Sequence, residues 1–153
     1  MKSILIVALS MLIWLSASAQ LSVVGMTEKE AIDHLKSTLS DLNLKKGDRT
    51  KINDDLAFVR LDGDGLEIHL IESDKLCLGS LTKLTYSKET YTTLVEGFDE
   101  GYEYVSKGKF KKYQSDIDMD VYYQVFNDSD KTLTYLLIGP VEVIDLLYPE
   151  LSR

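Results

Sequence analysis

Seven short runs with the two-residue period of strands, parted by turn residues and interrupted by a single helical stretch, most constrain what this chain can fold into. Leu56 to Leu61 and Leu66 to Ser73 flank Asp62-Gly63-Asp64-Gly65, a connection rich in the glycines that a tight reversal requires. Leu76 to Leu84 supplies a third run. Residues 102–106, 109–115, 119–126 and 132–138 supply four more, rich in Tyr, Val and Phe and joined by polar turns such as Asn127-Asp128-Ser129-Asp130. Strands in such succession pair with their neighbours as an antiparallel sheet. The strand-helix alternation of a parallel doubly wound fold is missing.

One helix precedes this series, one interrupts it and one follows it. Thr27-Glu28-Lys29-Glu30 has the form of a capping box and opens a helix over 28–42, with Ile32, Leu35, Leu39 and Leu42 on its apolar stripe and His34 away from it. Residues 43–55 are polar and charged and read as a loop. Ser87 caps a second helix to Phe98, where Tyr91, Leu94, Val95 and Phe98 share a face. Gly139-Pro140 starts a short third helix with Val141, Ile144 and Leu147 inward, stopped by Pro149. The expected fold is therefore α+β: a largely antiparallel sheet of six to seven strands, with an N-terminal helix, a middle helix and a short C-terminal helix on one face. Its order, α-βββ-α-ββββ-α, has the outline of an internal duplication.

The first 19 residues read as a cleaved export signal. Lys2 gives the positive start and Ile4 to Leu15 an apolar stretch shorter than the roughly 18 residues that span a bilayer. Ala17-Ser18-Ala19 gives the small residues of a cleavage site. Residues 20–153 then form one globular domain, periplasmic or secreted, with no integral membrane segment. Cys77, the one cysteine of the chain, has no partner for an internal disulfide and reads as a buried small hydrophobe. A formal charge of −8 repels phosphate backbones, which argues against nucleic acid as a partner.

The sequence lacks the nucleophile-elbow, zinc-protease, paired-cysteine and phosphate-loop signatures, and it implies no cofactor. Three weaker patterns remain. Asp62 and Asp64 resemble part of a calcium loop, although the twelfth position holds Ser73 where such a loop needs a bidentate Glu. Asp116, Asp118 and Asp120 would share one face if extended, and could hold a cation or be neutralised by Lys107, Lys109, Lys111 and Lys112 on the opposing strand. Glu67 with Asp62 or Asp64 could form the carboxylate pair of a small hydrolase. All nine tyrosines lie between Tyr86 and Tyr148, and the adjacent Tyr122 and Tyr123 must project to opposite faces of their strand. Tyr122, Tyr123, Tyr113 and Tyr135 are accordingly the candidate partner-binding residues.

Gly25-Met26-Thr27 followed by Glu30 resembles the opening of repeats in small bacterial envelope proteins, the outer-membrane assembly lipoproteins and the beta-lactamase inhibitor protein. The resemblance implies a helix packed on an antiparallel sheet and a role in binding other proteins. It carries over no site residues, and this chain has neither their lipidation cysteine nor a clear second copy of the motif. The combined expectation is a non-enzymatic exported domain that binds a protein or envelope component, in the manner of an inhibitor or immunity protein. The alternatives are a carboxylate-dependent hydrolase and a calcium-dependent exported module.

Overall fold

Thr27 begins the first helix by reciprocal capping. In the computed structural model, which describes residues 21–85, 87–98 and 101–152, α1 runs over Glu28–Thr38. The expected export signal and its cleavage point lie outside the described residues. The Thr27 hydroxyl accepts from the Glu30 N–H at 3.3 Å, and the Glu30 carboxylate accepts from the Thr27 N–H at 2.9 Å. The expected helix over 28–42 is shorter than its apolar stripe. After Leu39 a 3-10 turn, Ser40–Leu42, carries Leu42 into the core, and Asn43 at φ 51° redirects the chain.

The chain then forms β1 (Lys45–Lys51), β2 (Ala57–Gly63), β3 (Leu66–Ser73) and β4 (Leu76–Thr85). Ser87 caps α2 (Lys88–Glu96), its hydroxyl accepting from the Thr90 N–H at 2.9 Å. There follow β5 (Glu103–Ser106), β6 (Lys109–Gln114), β7 (Met119–Asn127), β8 (Leu133–Gly139) and α3 (Val141–Leu147). One eight-stranded sheet results, in the order β1-β2-β3-β4-β8-β7-β6-β5, with every neighbouring pair antiparallel. The α+β class stands, but the sheet has eight strands rather than six to seven. The additional strand is β1, in the segment expected to be a loop. Its Lys-Lys-Gly-Asp-Arg-Thr-Lys sequence has no apolar face, so pairing with β2 decides its conformation and hydropathy does not.

Each of the first two helices precedes a four-stranded meander, and the meanders meet through their last strands, β4 and β8. The order reads alike from either edge inward, as two similar halves related by a half-turn about an axis through the sheet. Such a rotation leaves both helices on the same face, and one core accordingly collects Ile32 and Leu35 of α1, Leu94 of α2, and Leu61, Ile68 and Leu136 from the strands. Cys77 lies in the same core, fully buried.

The third helix departs from expectation by covering the opposite face. Val143 and Ile144 pack on Ile71, Leu81 and Leu137 over the β4–β8 seam. Periodicity shows that α3 has an apolar stripe; the turn at Pro140 determines which side of the sheet receives it. At this seam Gly79 permits a close approach, since a Cβ there would stand 2.2 Å from the Ile138 carbonyl oxygen. The two sheet edges differ in character. Both carry a register shift, between Lys46 and Arg49 and between Tyr104 and Ser106, but β1 is charged, whereas β5 leaves Tyr104 and Val105 exposed. Among the described residues, no helix is long and apolar enough to cross a membrane.

Candidate functional site

Strand alternation divides the candidate tyrosines. On β7, Tyr123 faces α1 and α2, 1% exposed, with its ring centroid 5.4 Å from Phe98 and 5.0 Å from Tyr102. Burial pushes its phenol well above the ordinary range. Tyr123 is thus a core residue, which corrects its assignment to a binding surface. Tyr122 takes the opposite face, where Lys109 lies with its ammonium 5.4 Å from the ring centroid. Register places Tyr135 and Tyr113 on that face too, through the pairs Phe126–Tyr135, Lys111–Tyr122 and Tyr113–Asp120. Tyr135 stacks on Phe126 at 5.0 Å, and Tyr148 closes the group at 5.1 Å from Phe126. Tyr113 is 57% exposed and donates to Asp118, whose acceptance of that hydrogen bond raises the phenol's pKa.

α3 covers only the centre of this face. Around it lie the half-buried rings of Phe58, Tyr122, Phe126 and Tyr135, and Leu146 of α3 is 60% exposed. Charges flank the rings in opposed pairs. Glu67 accepts from His69 and lies 3.4 Å from Lys83, and the His69 bond is the main reason its carboxyl stays below the usual range. His69 also meets Phe58 edge-on at 5.4 Å. At the other end Lys111 lies 3.4 Å from both Glu103 and Asp120.

The remaining carboxylate candidates do not converge. Asp62 faces Glu67 across the β2–β3 pair, but it lies 3.1 Å from the Arg60 Nε, and Asp64 accepts from Asn43 at 2.8 Å. The Asp116–Asp120 row is not extended: Ser115–Asp118 forms the turn between β6 and β7, with Asp118 at φ 53°. Asp116 accepts from Gln114 at 3.3 Å, Asp118 from Tyr113, and Asp120 pairs with Lys111. Among the described residues, no group of three or more His, Cys, Asp or Glu is placed to hold a metal ion. Asp62, Asp64, Asp116, Asp118 and Asp120, the metal candidates of the sequence, are thus each engaged by a neighbouring side chain and do not come together. Lys109, Lys111 and Lys112 lie on an inner strand, and Lys111 alone of the three pairs with the Asp row, through Asp120.

A carboxylate that sequence reasoning missed is the most unusual group in the fold. Leu66, Ile68 and Leu70 of β3 face the helices, and Glu72 continues their parity into the interior, where its side chain is 0% exposed. Arg49 on β1 donates to Glu72 Oε2 at 2.5 Å and to Glu28 Oε2 on α1 at 3.2 Å, while Lys46 holds the other oxygen of Glu28. Glu72 Oε1 has no hydrogen-bond partner among the described residues. Burial, reinforced by the charge of Glu28 and opposed by Arg49, raises the Glu72 pKa. Across the strand pair, Cys77 has its thiol pushed up to about 12, first by burial and then by Glu72 and Glu28.

Beside this network is an open cavity of about 440 Å³ at one end of the sheet. Arg49, Lys51, Ala57 and Glu72 line it from the strands, and two connections, Asn53–Leu56 and Ser73–Lys75, complete it. Both connections are held by local geometry. Asn53 Oδ1 accepts from the N–H groups of Asp55 and Leu56, each at 2.8 Å, and Asp74 and Lys75 take the consecutive positive φ values of a tight hairpin turn. The parity of β3 was the signal that could have identified Glu72, an acid placed where the preceding alternate residues are all apolar.

No protein-family model, curated protein or solved structure matches this chain.

Proposed function

We propose that this is an exported, non-enzymatic binding domain that recognises a protein partner or another envelope component through the sheet face around α3. The observation that carries the reading is the collection of Tyr113, Tyr122, Phe126 and Tyr135 on the one sheet face that α1 and α2 leave open. Aromatic side chains offer large contact area at low entropic cost, and paired charges at the margin supply a polar rim. Glu67 with Lys83 and Glu103 with Lys111 and Asp120 stand in that position. The resemblance of Gly25–Glu30 to the opening of envelope-protein repeats supports the same class of role, and residues 1–19 support export. The carboxylates of the hydrolase reading are each engaged by a cation or an amide, which favours binding over catalysis.

The test compares two variants carrying tyrosine substitutions on opposite faces. Tyr122→Ala/Tyr135→Ala strips the α3 face, and Tyr104→Ala removes an exposed ring from the α1–α2 side. Affinity capture from an envelope extract is expected to recover a specific partner with the wild type and with Tyr104→Ala, and to lose it with the double variant. Equal recovery by all three proteins, or no specific partner for the wild type, rejects the reading.

A further inference from the structure

We propose, resting on the reading of the α3 face as a binding surface, that Lys109 receives a carboxylate from an acidic side chain of the protein that docks there. Register sets Lys109 opposite Gln124 of β7, on the face of Tyr122, Phe126 and Tyr135. It is 8% exposed, and its ammonium lies 5.4 Å from the centroid of the Tyr122 ring. Among the described residues, Glu72 Oε1 is the one buried side-chain polar atom that is both sealed from solvent and unpartnered, so the Lys109 nitrogen, which has no acceptor either, keeps an opening to solvent. The stem is packed and the head is free.

The other lysines of this face are already neutralised. Lys83 lies 3.4 Å from Glu67, and Lys111 lies 3.4 Å from both Glu103 and Asp120. Lys109 has the Tyr122 ring and, among the described residues, no carboxylate. The carbonyls of Gly108 and Val125 accept from the Gln124 amide, at 3.4 and 3.3 Å. Three ammonium donors are therefore left for a group from outside.

Covering the rings turns this vacancy into a demand on the partner. A surface that buries Tyr122 takes the adjacent ammonium out of water, and the cost of an unpaired buried charge offsets what the rings gain unless that surface brings an acceptor. A carboxylate answers best, because its hydrogen bonds to an ammonium are charge-assisted. The packed stem has little rotamer freedom left to lose on binding. One acid is enough: Glu67, Glu103 and Asp120 beside the rings, and a chain charge of −8, repel a run of them. The fitting ligand is a single Asp or Glu set among apolar residues.

The experiment pans random peptides, displayed on phage through their C-termini so that no terminal carboxylate is offered, against the wild type and its variants. Wild type and Lys109→Arg are expected to enrich the same peptides, with an acid at one recurrent position beside apolar residues. Tyr122→Ala/Tyr135→Ala is expected to retain none of them, and Lys109→Met to keep the apolar positions and lose the acid. Should Lys109→Met not fold, Lys109→Gln takes its place. In calorimetry with the synthetic peptide, replacing that acid by its amide is expected to weaken binding to the wild type at least about tenfold, and to the Lys109 variant by less than about twofold. Peptides that need the tyrosines but show no preference for an acid, or a preference that survives the loss of the Lys109 charge, overturn the role of Lys109 and leave the binding face standing. No enrichment, or equal binding to the double tyrosine variant, rejects the face and the role of Lys109 with it.

Discussion

Gly79→Ala measures how tightly the two meanders are joined. The added methyl would stand 2.2 Å from the Ile138 carbonyl oxygen and 3.2 Å from Gly139 Cα. Carbon and oxygen that do not bond rest about 3.3 Å apart, so β8 must withdraw by about 1 Å. The obstacle is main chain, and it cannot rotate aside as the end of a side chain can. Withdrawal strains the adjacent pairs Ser80–Ile138 and Leu81–Leu137 and disturbs the seat of α3, where Gly139 lies under Val143. Overpacking of about 2 kcal/mol and a weakened ladder bond of about 1 kcal/mol give an expected loss of about 3 kcal/mol. For a domain of this size, that is a fall in Tm of roughly 10 °C. Urea denaturation followed by circular dichroism reads the difference, with Gly101→Ala as the comparison. Gly101 has φ +81° with open space around it, so its substitution carries left-handed strain alone, about 1 kcal/mol. If Gly79→Ala proves no more damaging than Gly101→Ala, β8 yields freely and the argument for a tight seam is wrong.

Phe98→Ala is expected to cost about 3–5 kcal/mol in the same assay, because the ring is fully buried between Phe110, Tyr102 and Tyr123; a loss under about 1.5 kcal/mol would mean that this aromatic cluster collapses around the gap. Cys77, buried and with its thiol at about 12, is expected to resist a thiol reagent in the native state and to react once urea unfolds the chain, so prompt labelling of native protein would contradict its placement. Glu72 has a raised pKa, so the folded state holds its proton more tightly than the unfolded state, and its contribution to stability is greatest at acid pH and declines as pH rises through the folded value. Glu72→Gln is therefore expected to gain on the wild type in urea midpoint between acid and neutral pH; a widening advantage for the wild type would show that attraction to Arg49 outweighs burial.

Much of the fold was readable because each strand from β2 onward carries apolar residues, and each of the first two helices has a side-chain cap. Thr27 with Glu30 and Ser87 with Thr90 act as their spacing implies. β1 was hidden for the converse reason: an edge strand with both faces in water has no hydrophobic period, and Phe58 and Val59 across the ladder hold it extended. Alternation required Tyr122 and Tyr123 to part, but which ring entered the core depended on register with Phe110 and Ile138, a relation between segments distant in sequence. The aspartates of 116–120 share a face only if the chain there is extended, and a positive φ at Asp118 turns it between β6 and β7 instead. At Glu72 the parity of β3 signals an inward acid, but its partners Arg49 and Glu28 come from two other elements and are not legible in the strand.

The contrast between the sheet's two edges sets a ceiling on assembly. Continuous growth of a β-structure needs a receptive strand at both ends of every added unit. Here both edge pairs carry a register shift, but β1 presents a row of lysines, whereas β5 offers Tyr104 and Val105 beside an open ladder. Two copies joined β5 to β5 would present a β1 edge at each outer end and accept no third. By this asymmetry the domain would be able to pair without seeding a fibre.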